Sequence, residues 1–195
     1  MFKTREIALI IILSAAGGAL SVPLGYLGNA LKAIPILPFG IGQVLSGVHI
    51  LWLLLVRLLT GRTGSATFAG ALKGLVELSL FSFHGVQVLP IALAEGVLVD
   101  LVMSVPGKAS QIKAVIAGGL SASSNVLVLW ALLLQSLSPY VIGFMWLLAL
   151  VSGSLVGVFS WYASKRVQQV VGVINWTRIN EQESQNKSVR ALVLS

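Results

Sequence analysis

Six apolar segments, each close to the length of a membrane-spanning helix, occupy most of this chain. They are predicted to be helices near residues 6–27, 41–60, 64–81, 86–105, 112–135 and 139–163. A helix needs about 20 apolar residues to cross the hydrocarbon core of a bilayer. Hydrophobic residues make up 56% of the 195 residues and charged residues only 10%, whereas a soluble domain has about 25% charged residues. The sequence therefore predicts an all-α fold, a bundle of six transmembrane helices.

The basic residues predict how these helices are oriented. If the helices alternate in direction, almost all of the 13 Lys and Arg side chains lie on one side of the membrane and Lys32 lies alone on the other. Cytoplasmic loops carry an excess of Lys and Arg, so both termini are predicted to be cytoplasmic, with residues 1–163 as the membrane bundle and residues 164–195 as a polar cytoplasmic extension. The side chains on the predicted cytoplasmic side are Lys3, Arg5, Arg57, Arg62, Lys108, Lys113, Lys165, Arg166, Arg178, Lys187 and Arg190.

Several classes of function lack the sequence patterns that they require. The net charge of +7 does not indicate nucleic-acid binding, because the basic residues mark the ends of apolar segments and do not form one basic face with aromatic residues. The chain has no phosphate-binding Gly-x4-Gly-Lys loop, no His-Glu-x2-His helix and no Gly-x-Ser-x-Gly turn. It also has no cysteine. We therefore predict no enzymatic activity, no resident metal ion and no cofactor.

Four ionisable side chains interrupt the third and fourth apolar segments. Lys73 and Glu77 lie in the third segment, and Glu95 and Asp100 lie in the fourth. A charge at the centre of a bilayer costs roughly 2.5–3.5 kcal/mol, so such residues usually pair with one another or line a polar cavity. Lys73 and Glu77 have the helical spacing of an ion pair, although Lys73 can instead reach Glu95 or Asp100. One ammonium group against three carboxylates leaves up to two negative charges, which a cationic ligand or protons would balance.

Other polar residues are predicted at a similar depth in the membrane. Counting 1.5 Å per residue from the predicted outer ends places Glu77, Glu95 and Asn125 in the outer half of the bundle, where Gln43 and His49 share one face of the second helix. Pairing or hydrogen bonding within the bundle is the alternative for each of them. We predict a cavity open to the outside, with Trp52 and either Trp130 or Trp146 as a stacking wall. The predicted substrate-binding residues are Glu77, Glu95, Asn125, His49, Gln43 and Asn29.

The first apolar segment and the connection after it have two interpretations each. Small residues spaced like Ser14 and Gly18, or like Ala15 and Ala19, lie on one helix face and allow another helix to approach closely. They serve packing within the bundle, or else Ala15 and Ala19 dock a partner membrane protein. The following connection, residues 28–40, contains two prolines and is either a plain linker or a stiff lid over the cavity.

Short motifs spread over nearly the whole chain resemble those of one transporter family. They are Gly28-Asn29, Gly47, Arg62-Thr63-Gly64, Val76-Glu77, Glu95-Gly96 and Ser152-Gly153. With the six-helix pattern, they resemble the substrate-binding (S) component of energy-coupling factor (ECF) transporters. The chain is most similar to the YkoE type, which is associated with thiamine or its hydroxymethylpyrimidine precursor. It differs where that type has an acidic Glu-Pro, a Trp and a further acid, and here carries Gln43-Val44, His49 and Val128.

The resemblance implies a set of partners and a mode of action. A membrane coupling protein would contact Ala15 and Ala19, and two cytoplasmic ATPase subunits would hydrolyse ATP. The chain itself would capture the vitamin outside a prokaryotic cell and tilt in the plasma membrane to release it inside. Two alternatives stay open: a stand-alone proton-coupled transporter of small solutes, and a structural or assembly protein whose charges only pair helices.

Overall fold

The computed structural model of the protein describes the backbone of residues 2–31, 34, 41–82 and 85–193, and side chains as far as residue 171. Lys32, the prolines of the predicted lid and His84 lie outside the described residues. Within the described ranges the secondary structure is helical and no strand is present, which confirms the all-α prediction. Short 3-10 helices, Ile41–Leu45 and Gly85–Gln87, precede α2 and α4. The α-helices are α1 (Thr4–Leu31), α2 (Ser46–Thr60), α3 (Ser65–Ser79), α4 (Val88–Met103), α5 (Gln111–Leu132) and α6 (Pro139–Val193).

Five of the six helices reach membrane-spanning length, and two of these, α2 and α4, do so only together with the 3-10 helix before each. Among the described residues, five segments are long and apolar enough to cross a bilayer: Thr4–Leu31, Ile41–Thr60, Gly85–Met103, Gln111–Leu132 and Pro139–Val171. The exception is α3, which has 15 residues where a perpendicular span needs about 20. It is shorter than predicted because Gly64, just before it, and Phe81, just after it, have positive φ angles. The chain is thus a multi-pass membrane protein, and a sixth span stays a prediction.

The turn between α2 and α3 depends on two glycines in the left-handed backbone region. Gly61 has a φ of 65° and its N–H donates to the carbonyl oxygen of Arg57, and Gly64 has a φ of 85° directly before α3. Residues with a Cβ atom adopt this region only at a cost. The glycines end α2 and restart the chain as α3 with only four residues between the two helices.

The helices bury small and aliphatic side chains between them and turn large aliphatic ones outward. α2 contacts α1, α3, α4 and α5, and its Ile50, Leu53 and Leu54 are fully buried. By contrast Ile12 is 66% exposed and Leu155 is also 66% exposed. A soluble protein rarely exposes so many large apolar side chains, so lipid is the solvent that this surface fits.

The chain divides into two compact units, Met1–Trp161 and Tyr162–Ser195, and α6 extends through both. The predicted helix ended near residue 163. The observed helix continues to Val193 because no proline interrupts this stretch. Within the first unit α6 packs against α2, where the Gly47 N–H donates to Ser152 Oγ at 3.1 Å. The same hydroxyl donates to the Val44 carbonyl oxygen at 2.5 Å.

Close packing of α6 on α5 predicts that Gly157 does not tolerate a larger residue. A Cβ atom there would lie 2.7 Å from Val115 Cα and also against the Ala114 carbonyl oxygen, and neither backbone atom can move without shifting a helix. Overpacking of this kind costs about 1–3 kcal/mol. We expect Gly157→Ala to lower the Tm of the detergent-purified protein by several degrees in a scanning fluorimetry experiment.

Gly143, in the same helix, supplies the matched control. A Cβ atom at this position meets nothing within 4 Å, and Ala favours a helix by about 1 kcal/mol over Gly. Gly143→Ala should therefore leave the Tm unchanged or raise it. Equal Tm values for the two variants would contradict the close approach of α5 and α6.

Candidate functional site

A polar cavity lies at one end of the bundle, where α1, α3 and α5 end and α2 and α4 begin. It has a volume of about 60 Å³ and is lined by residues from these five helices and from the 3-10 helix before α2. At its rim the chain approaches itself closely, since a Cβ atom on Gly42 would lie 2.8 Å from the Gly28 carbonyl oxygen. The apolar part of the lining includes Leu24, Leu45 and Ile91.

The six substrate-binding residues predicted from the sequence all line this cavity. They come from different helices, as the depth argument required, but a role in binding is still a prediction. From the sequence, Lys73 was expected to form an ion pair with a buried carboxylate. The structure also places Lys73 in the lining of the cavity, together with Ser46. The spacing of Ser46 between Gln43 and His49 was the available signal. The six residues are Asn29, Gln43, His49, Glu77, Glu95 and Asn125.

Lys73 forms its ion pair with Glu77, one helical turn further along α3. The whole Lys73 residue is 1% exposed and Glu77 is 2% exposed, so water does not screen the pair. This settles which of the three carboxylates holds the ammonium group. It also leaves Glu95 in the lining of the same cavity without a salt bridge to any of the described cations.

Glu95 is fixed in place but its carboxyl group is incompletely satisfied. The residue is 1% exposed, and its Oε2 atom has no hydrogen-bond partner among the described residues. Its backbone is held from two sides, because the Ser121 hydroxyl donates to its carbonyl oxygen at 2.8 Å and Gly96 packs against the Ala66 carbonyl oxygen. A buried group left unsatisfied costs roughly 1–3 kcal/mol, and such groups call for a specific explanation.

A second acceptor in the same cavity is also unsatisfied. Asn125 Oδ1 is buried without a hydrogen-bond partner in the described part of the chain. Together Glu95 and Asn125 present oxygen atoms from α4 and α5. Lys73 is already held by Glu77, so Glu95 is the carboxyl group of the cavity without a cation among the described residues. This combination suits a ligand that brings N–H donors and one positive charge.

The other buried carboxylate, Asp100, lies at the opposite end of the bundle and has a cation, although its Oδ1 atom makes no hydrogen bond among the described residues. Arg57 Nε lies 3.2 Å from Asp100 Oδ1. The backbone N–H and the hydroxyl of Thr67 donate to Asp100 Oδ2 at 2.8 and 2.7 Å. This cluster joins α2, α3 and α4, and Arg57, predicted to flank a cytoplasmic loop, is 7% exposed.

The pairing of Asp100 changes the predicted balance of charge. The sequence allowed Lys73 to reach Asp100 and left up to two carboxylates unmatched. That estimate was too high, because the count from the sequence treated Arg57 only as a residue that flanks a cytoplasmic loop and not as a partner of the buried carboxylates. Asp100 is paired with Arg57 and Glu77 with Lys73, so Glu95 is the one buried carboxyl group of the three without a cation among the described residues.

The three tryptophans expected to form a stacking wall lie elsewhere. Trp52 packs against Gly17 of α1, Trp146 packs on the cluster of Ile142 and Met145, and Trp130 is 45% exposed. None of them is among the described lining residues. Depth along a helix could be counted from the sequence, but the direction in which each ring points could not.

The two strips of small residues on α1 face different surroundings. Ser14 and Gly18 are buried, and a Cβ atom on Gly18 would lie 2.7 Å from Val76 Cγ1 of α3. Ala15 and Ala19 are exposed. The first strip therefore serves packing inside the bundle. The second is available to another membrane helix, and docking there remains a prediction.

Comparison with known proteins supports membership of a transporter family. Residues 5–125 match the family model described as ABC-type cobalt transport system, permease component. A solved structure described as the crystal structure of an S-component of ECF transporter aligns with a TM-score of 0.78 and 20% sequence identity. That alignment covers 100% of this chain and 99% of the other chain, and at this identity it shows a shared fold. No curated protein matches this sequence.

The burial of the Arg57–Asp100 pair predicts a large effect when one partner is neutralised. Asp100→Asn leaves the Arg57 guanidinium buried without a counter-charge, which typically costs about 3–5 kcal/mol. The exposed pair of Arg62 and Glu6, with 2.9 Å between Arg62 Nε and Glu6 Oε1, gives a comparison. Glu6→Gln should cost only about 0–1 kcal/mol.

Both variants can be compared with the native protein by thermal unfolding in detergent. We expect a clear fall in Tm for Asp100→Asn and almost none for Glu6→Gln. If the two changes lower the Tm equally, the Arg57–Asp100 pair is not the buried link that its geometry indicates.

Proposed function

The chain belongs to the family of permease components of ABC-type cobalt transport systems, and we propose that it is the substrate-binding component of an ECF-type importer. In this role it captures a small organic compound that carries an amino group or one positive charge. A vitamin precursor of the hydroxymethylpyrimidine kind is the leading candidate, with thiamine next. Partner proteins would supply the energy.

The observation that carries this proposal is the unsatisfied carboxyl group of Glu95. A membrane protein that needed Glu95 only for stability would pair it, as it pairs Asp100 with Arg57 and Thr67. Instead Glu95 lines a cavity that is also lined by Asn125, whose side-chain oxygen is unsatisfied as well. A ligand with adjacent N–H donors, such as an aminopyrimidine, would satisfy both oxygens at once.

The size of the cavity ranks the candidate ligands. At about 60 Å³ it is far smaller than the roughly 300–1,000 Å³ of a typical ligand pocket. A single small ring is therefore a better fit than a two-ring compound, which is why we place the pyrimidine precursor before thiamine. Binding of either compound would need the cavity to widen.

Cobalt, which the family description mentions, fits this cavity less well. Within the described residues no group of three or more His, Cys, Asp or Glu side chains is placed to hold a metal ion. One of the two carboxylates in the cavity already holds the Lys73 ammonium. The donors therefore favour an organic cation over a metal ion as the substrate.

The direction of transport follows from the basic residues. The described cations at the helix ends lie at the end of the bundle opposite the cavity, where cytoplasmic residues are expected. With six spans and both termini in the cytoplasm of a prokaryote, the cavity opens outward and residues 164–195 form a cytoplasmic extension. The cations are Lys3, Arg5, Arg57, Arg62, Lys108 and Lys113.

A second candidate function uses the same carboxyl group. A buried Glu95 without a hydrogen-bond partner at Oε2 could carry a proton in a stand-alone secondary transporter. Uptake into proteoliposomes distinguishes the two. A proton-coupled transporter accumulates substrate in response to a proton gradient, whereas a substrate-binding component alone does not.

Substitution of Glu95 tests the proposed site directly. Glu95→Gln removes a charge-assisted hydrogen bond, worth about 1.5–3 kcal/mol, so the Kd for the ligand should rise about 10- to 100-fold. Because the carboxyl group is unsatisfied without ligand, the same change should leave the Tm of the free protein unchanged or raise it. Thermal shift across the B vitamins and their precursors identifies the ligand, and calorimetry gives the Kd.

Glu6→Gln is the matched control, since Glu6 lies outside the cavity and pairs with Arg62. It should bind ligand like the native protein. Unchanged affinity in the Glu95 variant would remove Glu95 from the site.

The exposed strip on α1 is the proposed contact with a membrane coupling protein, which would in turn bind two ATPase subunits. Ala15 and Ala19 lie one helical turn apart and both are exposed. Small side chains at this spacing allow two helices to approach closely. Their exposure, next to the buried strip of Ser14 and Gly18, is what supports this proposal.

Enlarging the strip should separate assembly from binding. The double change Ala15→Leu with Ala19→Leu should abolish co-purification with the coupling protein and leave the Tm and the ligand Kd unchanged. Ala131→Leu, at an exposed position of α5, makes the same chemical change elsewhere and should not affect assembly. Intact complexes from the double variant would place the docking surface on another helix.

A further inference from the structure

We infer that Ser152 of α6 is a positioning residue for the cavity, although α6 contributes none of the described lining residues. Its hydroxyl holds the start of α2 and thereby places the polar side chains that this part of the chain directs at a ligand. The inference rests on the proposed function of the cavity and adds one residue to it. It does not depend on the charge of any lining group.

The start of α2 has no capping side chain of its own. The first four N–H groups of a helix have no partner within the helix, and a polar side chain at the N-cap usually binds one of them. The N-cap residue of α2 is Leu45, which makes no such bond. The hydroxyl of Ser46 is used elsewhere, since it donates to the Gln43 carbonyl oxygen at 2.7 Å. The start of α2 therefore depends on a partner from another helix.

Ser152 is that partner. Its Oγ atom accepts from the Gly47 N–H at 3.1 Å and donates to the Val44 carbonyl oxygen at 2.5 Å. A Cβ atom on Gly47 would lie 2.5 Å from the Ser152 carbonyl oxygen, so only glycine allows this approach. One hydroxyl thus binds the backbone on both sides of the junction between the 3-10 helix and α2, and fixes where the first becomes the second.

Polar lining residues lie directly beside the two bonded backbone groups. Gln43 precedes Val44, and Ser46 precedes Gly47. His49 follows in the first turn of α2, and it lines the cavity together with Gln43 and Ser46. Moving the junction by one residue would turn these side chains by about 100° around the helix axis. The position of the junction therefore decides whether they point at a ligand.

The position of Ser152 is fixed in turn by Gly153. A Cβ atom on Gly153 would lie 2.5 Å from Ala122 Cβ and would also contact the Gly118 carbonyl oxygen, and both of these residues belong to α5. Asn125 lies three residues after Ala122 on the same helix. Ser152 and Gly153 together therefore hold the polar residues of α2 in a defined place relative to the helix that carries Asn125.

Two substitutions and one matched control isolate the hydroxyl. Ser152→Ala removes it and leaves the contacts of Gly153 in place. Ser152→Cys retains a weak donor and acceptor and is used if Ser152→Ala does not fold. Ser160→Ala is the control, because Ser160 is a buried serine of the same helix whose hydroxyl donates to the Val156 carbonyl oxygen at 2.7 Å within α6.

The first measurement needs no ligand. The chain has two histidines, His49 and His84, so protein labelled with ¹⁵N-histidine gives two backbone amide signals in a detergent NMR spectrum, which His84→Gln assigns. Hydrogen exchange with mass spectrometry follows the peptide that contains Gly47. We expect Ser152→Ala to shift the His49 signal and to speed amide exchange about 2- to 10-fold, as the loss of one hydrogen bond predicts. Ser160→Ala should change neither.

The second measurement is calorimetric titration with the hydroxymethylpyrimidine precursor and with thiamine. We expect the Kd to rise about 3- to 10-fold for Ser152→Ala, because a lining that is less well preorganised must be ordered by the ligand. The Kd of Ser160→Ala should equal that of the native protein, although both variants lose a buried hydroxyl. A purely structural role of Ser152 would instead lower the Tm and leave the Kd unchanged.

Three results would overturn the inference. One is a folded Ser152→Ala or Ser152→Cys protein whose His49 signal and amide exchange match the native protein. Another is a Ser160→Ala protein that changes them as much as Ser152→Ala does. The third is a Ser152→Ala protein that binds the ligand with the native Kd.

The outcome is separable from that of the proposed function. If neither compound binds the native protein but Ser152→Ala still shifts His49 and speeds exchange, the ligand proposal is wrong and Ser152 keeps its positioning role for the lining. If Glu95→Gln weakens binding while Ser152→Ala does not, the ligand proposal stands and the role of Ser152 is wrong.

Discussion

Burial of charge among apolar helices is the constraint on which this structure depends. A charge removed from water must find a partner or be retained for a function. Asp100 has a cation and two hydrogen bonds, since its Oδ1 lies 3.2 Å from Arg57 Nε in an ion pair and its Oδ2 accepts from Thr67 twice. The cavity at the other end also contains a buried cation and buried carboxyl groups. Here Lys73 pairs with Glu77, and Glu95 has no cation among the described residues. The two ends therefore differ in how fully their charges are satisfied, and the incomplete end is where a ligand can contribute energy.

The position of the incomplete end is set by backbone contacts between helices. Helices in lipid gain little from apolar burial against each other, so they associate through small residues that allow close approach. Gly96 lets α4 lie against the Ala66 carbonyl oxygen of α3, and this contact directly follows Glu95 in sequence. The same contact brings the carboxyl group of Glu95 into the cavity that the Lys73–Glu77 pair lines. Gly47 plays a similar part between α2 and α6, where it also donates to Ser152. Gly96 and Gly47 have no functional side chain, but the close helix contacts that they allow determine where residues such as Glu95 lie.

The positions of the helices and the depth of the polar residues in the membrane could be predicted from the sequence. The direction in which each side chain points and the partners of the buried charges could not. Apolar length located all six helices, and the rise per residue brought Glu95 and Asn125 to one level because depth depends only on counting. The tryptophans were assigned to the cavity wrongly, since rotation about a helix axis depends on neighbours that a single sequence does not show. The pairing of Asp100 was missed for the same reason: its partner Arg57 lies on another helix, and the sequence indicated only that Arg57 flanks a cytoplasmic loop. The continuation of α6 beyond residue 163 was missed because a polar composition does not by itself end a helix.

In a cavity this small, polar and electrostatic attraction contributes to the first contact with a ligand more than the fit of apolar surfaces does. With about 60 Å³ of space, few apolar contacts are available to a ligand at first, and the unsatisfied oxygens of Glu95 and Asn125 are the strongest attraction that it meets. Widening of the cavity must then come from parts of its lining other than Glu95, because the backbone of Glu95 is fixed by Ser121 on α5 and by the contact of α4 with α3. The rim formed by Gly28 and Gly42 is also linked to other helices through its neighbours, since the Tyr26 hydroxyl donates to the Phe81 carbonyl oxygen at 3.0 Å and the Ser152 hydroxyl donates to the Val44 carbonyl oxygen. A ligand larger than the cavity therefore has to break one of these links or move side chains of the lining, while the Arg57–Asp100 pair at the other end need not change.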